Sequence, residues 1–458
     1  MNRTVVIDIP GLSKSVIGTH TPFLQKYISE NHLTLIHPTL PAVTTTMQSC
    51  FITGKYPVDH GIVGNGWYDR EETEIKFWKQ SNKLVRSEKI WEAAKKLDPS
   101  FTCSKMFWWY NMYSGADYSV TPRPQYHADG VKQPDCYSHP AHLRDDLQKE
   151  LGTFPLFNFW GPRTNIKSSK WIADASMFVE KKHSPTLTLI YLPHLDYCLQ
   201  KFGNDFEKIG KDLSEIDQLC KELISFYEAR GVKIILLSEY GISPVNNPIH
   251  INRILRKEGL LSIRKERHYE LLDPGASEAF AVADHQVAHI YLNNPTVKEK
   301  VMNVLGKIKG IKFVFDEEGK KLNHLNHERS GDLVAVADPE SWFTYYYWED
   351  ENFVPDFAKT VEIHKKPGYD PLELFMDKNP FIKLKAGYKL LRKKIGLRYL
   401  MDVISLDPTL IKGSHGSVDV AKEYYPLFIS KEPLNKNEIE APDVYNIIWK
   451  HLFDKRTT

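Results

Sequence analysis

Five cysteines in 458 residues, at Cys50, Cys103, Cys136, Cys198 and Cys220, are too few and too scattered to staple this chain. The number is odd and no CxxC pair occurs, which excludes a disulfide framework or a thiolate zinc site and leaves reduced, mostly structural thiols. Long apolar runs are missing too. None approaches the length of a membrane span, so no membrane partner is expected. The start, Met1-Asn-Arg-Thr-Val-Val-Ile-Asp, lacks the apolar core of a signal peptide and enters a β-branched strand directly, which predicts a cytoplasmic chain beginning at Met1. A charge excess is equally absent. Sixty Lys and Arg stand against 58 Asp and Glu, a net +2 that excludes a bulk electrostatic partner such as nucleic acid. There are no internal repeats and no low-complexity tract. What remains, 42% hydrophobic and 26% charged, is a globular composition with enough chain for one large α/β domain or two ordinary ones.

The apolar segments that are present end on acids. Thr4 to Ile9 reads as a buried parallel strand and carries Asp8 at its C-terminal end, where open α/β sheets place ligands. Thr21 to Asn31 reads as a helix and Leu33 to Ile36 as the second strand, in βαβ order. Pro185 to Leu192 and Val232 to Leu237 are two further strands. The first runs into Pro193-His194-Leu195-Asp196 and the second into Ser238-Glu239-Tyr240-Gly241. Asp8, Asp196 and Glu239 would then share one sheet edge, and clustered carboxylates need cations to hold them together. Taken alone, Asp8 before Pro-Gly is also an ordinary Asx-turn residue.

Between these strands, Thr44, Thr45 and Thr46 precede an apolar-spaced segment (Met47, Cys50, Phe51) that stops at Gly54. The pattern predicts a short helix capped by threonine hydroxyls and closed by glycine. A hydroxyl there sits in the positive field of a helix N-terminus, which favours a bound phosphate or an alkoxide; a simple capping role satisfies the same pattern. Residues 98–170 are rich in Trp, Tyr, Pro and His with weak periodicity and read as a cap over a site. Their aromatics serve equally well as a satellite hydrophobic cluster. His285 and His289, four apart in Ala279 to Leu292, are expected on one strand and one face. Lys383 to Arg398 reads as a basic helix with a solvated face. Gly413-Ser414-His415-Gly416 is a glycine-flanked histidine whose backbone can turn sharply and free the imidazole for a cleft.

The run Thr53-Gly54-Lys55-Tyr56-Pro57-Val58-Asp59-His60-Gly61-Ile62 closely resembles the motif T-G-x-Y-P-x-x-H-G-I of the nucleotide pyrophosphatase/phosphodiesterase branch of the alkaline phosphatase superfamily. The resemblance covers about residues 1–95 and 185–245 plus the His415 turn. It implies an alkaline-phosphatase-like α/β fold: a single catalytic domain over 1–458 with a mixed, mostly parallel central sheet flanked by helices, and cap or insertion regions at 98–170 and 250–345. By position in the motif it makes Thr44 the nucleophile and Asn65 the phosphate-binding asparagine. It also implies two divalent metal ions. One corresponds to Asp196, Gln200 and His415; the other to Asp8, Thr44, Glu239 and Tyr240.

Three of these positions depart from the family. Gln200 and Tyr240 stand where it has histidines, and Glu239 where it has an aspartate. Zinc is the family's expectation, but amide and phenol oxygens in place of imidazole shift the preference toward harder ions such as manganese or iron. His194 or His285 could supply a missing nitrogen. Trp67, Tyr110 and Tyr113 are candidates to stack on a planar part of the substrate, or to pack. The expected activity is hydrolysis of a phosphodiester or pyrophosphate in a small phosphoester or nucleotide-like substrate, through a phosphothreonine. A phosphoester-binding protein altered in or without catalysis is the alternative, as are phosphomonoesterase, phosphomutase and C–P hydrolase activities. A sulfatase would need a C/S-x-P-x-R motif at the nucleophile, which is not present here.

Overall fold

The computed structural model describes residues 1–128, 130–434 and 436–454. Thirteen strands carry the architecture: β1 (Thr4–Asp8), β2 (His32–His37), β3 (Cys103–Met106), β4 (Tyr118–Pro122), β5 (Cys136–His139), β6 (Leu187–Tyr191), β7 (Lys233–Leu237), β8 (Ala279–Asp284), β9 (Val287–Leu292), β10 (Ile311–Phe315), β11 (Leu333–Ala337), β12 (Leu427–Ser430) and β13 (Glu438–Glu440). Nine of them form one sheet in the order β13-β2-β12-β7-β1-β6-β3-β4-β5. Only β12 and β5 run against the rest.

β1 lies at the centre of that sheet and shows why. All five residues of Thr-Val-Val-Ile-Asp are buried, because helices cover both faces. Side chains alternate across a strand. Val5 and Ile7 pack into the core shared with helices α2 (Lys167–His183) and α4 (Phe206–Glu228). Val6 packs on the other side with Met47 and Phe51 of α1 (Thr44–Thr53) and with Val444 and Ile448 of α6 (Asp443–Phe453). The parallel register sets Asp8 beside Tyr191 of β6 and Leu237 of β7. Three chains therefore leave the sheet at one edge, one at Asp8, one into α3 (His194–Phe202), one into Glu239 and Tyr240.

The 98–170 region is more than a cap, since it supplies β3, β4 and β5 to the central sheet. Their periodicity was masked by shortness and by the Trp- and Pro-rich loops around them. The 250–345 region builds a second, four-stranded antiparallel sheet in the order β8-β9-β11-β10, with its own apolar core. His285 and His289 do not share a strand, a correction to the sequence expectation. The chain turns at Asp284-His285-Gln286, with His285 at φ 59°, and only His289 lies on β9.

Candidate active site

Thr44 is the first residue of α1, and the entire helix is buried. The sequence expectation of threonine caps is not met. Val43 occupies the N-cap without a side-chain bond. Thr45 Oγ1 donates to the Gly64 carbonyl at 2.8 Å and Thr46 Oγ1 to the Ile62 carbonyl at 3.2 Å, so both hydroxyls clamp the following loop. The closing glycine behaves as read: Gly54 adopts φ 64° and its N–H bonds the Cys50 carbonyl. Thr44 alone of the three turns its hydroxyl outward, into a cavity of about 850 Å³.

Around Thr44 the acid-ended strands converge. Tyr240 Oη lies 2.9 Å from Thr44 Oγ1 and 3.5 Å from Asp196 Oδ1. Gln200, one turn along α3 from Asp196, donates to Asp196 Oδ2 at 2.9 Å, and its own oxygen accepts from Tyr369 at 2.9 Å. His415 stacks flat on Tyr240, with centroids 3.6 Å apart, and its Nε2 is 3.7 Å from Asp196 Oδ1. Its Nδ1 donates to the Ala42 carbonyl at 2.8 Å, which fixes the tautomer and leaves Nε2 as a lone pair. The turn that carries it needs Gly413, because a Cβ there would sit 2.4 Å from the Leu199 carbonyl oxygen. His285 closes the stack, 3.8 Å from His415 and 3.6 Å from Tyr369, with Nδ1 bonded to Asp284 at 2.8 Å.

Gln48, four residues after Thr44 on the same helix, was not singled out from the sequence, although i, i+4 spacing places it on Thr44's face. Its Oε1 accepts from Trp109 N–H at 2.8 Å. That orients Nε2 between the two carboxylates, 3.2 Å from Asp8 Oδ2 and 2.6 Å from Glu239 Oε1. Burial pushes Asp8 up to about 7, against the hydrogen bonds from Glu239 and Gln48, and raises Glu239 well above the carboxylate range, helped by the charge of Asp8. Asp196 is likewise pushed up to about 7 by burial. Tyr240 is raised well above its ordinary value by burial and then by Asp196 and Glu239, so its phenol stays protonated. Burial holds His285 and His415 neutral.

Asp8 Oδ1, Glu239 Oε2, His415 Nε2 and His285 Nε2 are all buried without a hydrogen-bond partner. Such orphaned acceptors fit cation ligation. Asp8 and Glu239 come together on Gln48, while His415 and His285 stack on each other, His415 also lying beside Asp196, whose own oxygens accept from Gln200 and Tyr240. Thr44 and Tyr240 can each add an oxygen, whereas the Gln200 oxygen is committed to Tyr369.

Other expected residues lie elsewhere. His194 is turned to α4, its Nε2 3.1 Å from Asp212 Oδ1. Asn65 packs behind α1: its Oδ1 accepts from Thr45 N–H at 3.2 Å, while its N–H and Nδ2 both bond Asp284. Trp67 is buried under the Arg329 guanidinium, Tyr110 is buried, and Tyr113 points to solvent; none of the three lines the cavity. Trp78, Trp109, Phe159, Trp160, Tyr197 and Tyr369 form the aromatic wall instead. Composition marked the aromatic-rich stretches, but only the backbone turns decide which ring faces in; Trp108 is fully buried while Trp109 lines the cavity.

A mostly parallel nine-stranded sheet with acids along one edge and a threonine at the head of a buried helix defines an alkaline-phosphatase-like α/β protein. The profile of the family described as type I phosphodiesterase / nucleotide pyrophosphatase matches residues 4–370, and the chain belongs to that family. Ectonucleotide pyrophosphatase/phosphodiesterase 1 of Saccharomyces cerevisiae is 24% identical over 322 residues, 64% of this chain and 38% of the relative. An uncharacterized pyrophosphatase/phosphodiesterase of Schizosaccharomyces pombe is 25% identical over 279 residues, 58% of this chain and 49% of its own length. The chain thus spans less than half of these two relatives. Among solved structures, murine ectonucleotide pyrophosphatase/phosphodiesterase 5 superposes with a TM-score of 0.59 at 14% identity, over 98% of this chain and 95% of that one. Phosphonoacetate hydrolase from Sinorhizobium meliloti 1021, in complex with phosphonoformate, gives 0.62 at 14% identity over 98% and 96%. At that identity the likeness is one of fold.

Proposed function

We propose that the protein is a metal-dependent phosphoric ester hydrolase that cleaves a phosphodiester or pyrophosphate through a phosphothreonine at Thr44. The observation that carries this reading is Thr44 itself, its hydroxyl lining the cavity at a helix N-terminus, 2.9 Å from Tyr240, on the same helix whose Gln48 bonds Asp8 and Glu239. Asp8, Glu239 and Thr44 would hold one divalent ion, and Asp196, His415 and Tyr240 a second; such ions neutralise the charge that builds on a transferring phosphoryl group. Manganese or iron suits these ligands better than zinc.

The chain's own groups supply the rest. Thr44 Oγ1 forms the bond to phosphorus as the ester oxygen departs with its electron pair. The Thr44 proton has a route through Tyr240 Oη to Asp196 Oδ1, so Tyr240 passes a proton without ionising. Water then cleaves the phosphothreonine and returns the hydroxyl. The aromatic wall excludes water and receives an apolar or planar leaving group.

A second reading, phosphoester binding without turnover, is favoured by one observation: the Gln200 oxygen is spent on Tyr369 and does not replace the family's imidazole. Metal analysis of the purified protein, beside turnover of bis(nitrophenyl) phosphate with added manganese, iron or zinc, separates the two. Turnover that disappears in Thr44→Ala supports the hydrolase; no bound metal and no turnover with any ion refutes it.

A further inference from the structure

Eight of the seventeen exposed large apolar side chains among the described residues fall in just twenty positions, 381–400. Phe381, Leu384, Tyr388, Leu391 and Ile395 are spaced 3, 4, 3 and 4 apart around helix α5 (Ile382–Lys394), so they form one stripe. Their exposures run from 55% to 71%, and the stripe covers nothing in the protein. The helix is anchored from its other side. Ile382 and Ala386 pack against the cluster of Val245, Trp342 and Leu372, and Lys385 and Lys389 pair with Asp402 at 2.8 and 3.2 Å.

The same segment is strongly basic. Lys378, Lys383, Lys385, Lys389, Arg392, Lys393, Lys394 and Arg398 occur with no acidic residue between Asp377 and Asp402. Lys383, Lys394 and Arg398 are exposed and pair with no acidic side chain among the described residues. In a chain whose net charge is only +2, this concentration is local. α5 also borders the active-site cavity, whose wall includes Ala386, Leu390, Lys393, Leu400 and Met401.

We propose that residues 381–400 dock the protein on an anionic lipid bilayer, with the mouth of the Thr44 cavity beside the membrane surface. An exposed apolar stripe flanked by unpaired lysine and arginine is the chemistry of interfacial helices, where leucines and aromatics enter the acyl boundary and cations meet anionic headgroups. A second copy of the chain is disfavoured as occupant, because self-association would press this basic face against itself. Nucleic acid would leave the leucine stripe in water. No helix among the described residues is long and apolar enough to cross a membrane, so the contact is a surface one. The sequence expectation of no membrane partner rests on the absence of a span, and the proposal departs from it on this stripe alone.

Co-sedimentation of the full chain with vesicles of phosphatidylcholine alone, or mixed with phosphatidylglycerol, tests the proposal at low and raised salt. The protein is expected to pellet with the mixed vesicles and to be released by salt. A Leu384→Ser/Leu391→Ser/Ile395→Ser variant should lose roughly a thousandfold in binding. A Lys383→Glu/Lys394→Glu/Arg398→Glu variant should lose roughly a hundredfold. Both should keep the melting temperature, which shows that they fold. Failure to pellet with anionic vesicles, equal pelleting of wild type and both variants, or a concentration-dependent dimer dissolved by the serine variant would each overturn it. Pelleting and melting are read without turnover, so this result stands or falls apart from the hydrolase reading.

Discussion

Thr44 Oγ1 and Tyr240 Oη are 2.9 Å apart, and Tyr240 reaches on to Asp196 at 3.5 Å, so a phenol stands between the threonine hydroxyl and the carboxylate. A phenol held protonated by burial can relay a proton but cannot itself act as base. The base is then Asp196, which burial pushes up to about 7 without a cation and which the divalent ion it would hold keeps ionised. Loss of the Asp196 proton and uptake of that ion both rise with pH through that value, so kcat/KM at limiting metal should climb over the same range. Tyr240→Phe breaks the relay and is expected to lower kcat by about 10²- to 10⁴-fold and to flatten this limb. A pH profile of kcat/KM for wild type and variant decides it; a Tyr240→Phe enzyme with an unchanged limb would remove Tyr240 from the proton path.

The Asp8 and Glu239 carboxylates share one side-chain donor, Gln48, and each keeps a buried oxygen without a partner. Burial drives such a pair to take up a proton unless a cation compensates the charge. Binding to the folded state alone raises stability by mass action, by about 2.7 kcal/mol at a hundred times the dissociation constant. Manganese should therefore raise the melting temperature at pH above about 7, and the gain should shrink as acid protonates Asp8. Glu239→Gln is expected to abolish most of the shift. Differential scanning calorimetry with and without metal, in both proteins, reads the effect.

The sheet edge was legible because buried parallel strands advertise themselves as short apolar runs, and each of β1, β6 and β7 is followed at once by its acid or by the helix that bears it. The place of Thr44 at the head of α1, lining the cavity, was legible through the spacing to Gly54 and Asn65. The inner wall of the cavity was not. Tyr369 bonds Gln200 across 169 positions, and Trp109 holds Gln48 through a backbone N–H that no side-chain pattern reveals. The aromatic choice failed for the same reason. Trp67 stands two residues after Asn65 and Tyr110 in the aromatic run Met106–Met112, whereas facing the cavity is a matter of which turn precedes a ring.

Behind that wall lies a buried ion cluster. Lys366 Nζ is 2.6 Å from Asp370 and 2.8 Å from Glu373, with all three side chains at most 3% exposed. Glu373 also accepts from the Trp160 indole at 2.5 Å, and Tyr369 is the neighbour of Asp370, so the cluster positions two rings of the cavity. Lys366→Met strands two carboxylates without their cation, and a buried pair broken on one side costs about 3–5 kcal/mol. Urea unfolding should show that loss. A rise in KM larger than the fall in kcat would mark displacement of the wall; loss of stability with unchanged KM would limit the cluster to a folding role.

A single buried lysine gives the sharpest pH test of the fold. Lys105 lies in β3, fully buried, with Nζ 3.2 and 3.1 Å from the Trp109 and Tyr110 carbonyls and 4.7 Å from the centre of the Trp91 ring. Burial lowers it from 10.5 to about 7. The unfolded chain therefore binds more protons than the folded one between these two values, and stability must rise with pH across that window. Below about 7 both states are charged and the penalty is at its full size; above about 10.5 both are neutral and it has vanished. Lys105→Met removes this dependence while leaving every other titration in place. The stability of wild type relative to the methionine variant should thus increase from about pH 7 to about pH 10, by up to about 1.4 kcal/mol per pH unit. Urea midpoints of the two proteins across that range measure the difference, and parallel curves would show that Lys105 keeps its proton in the folded sheet.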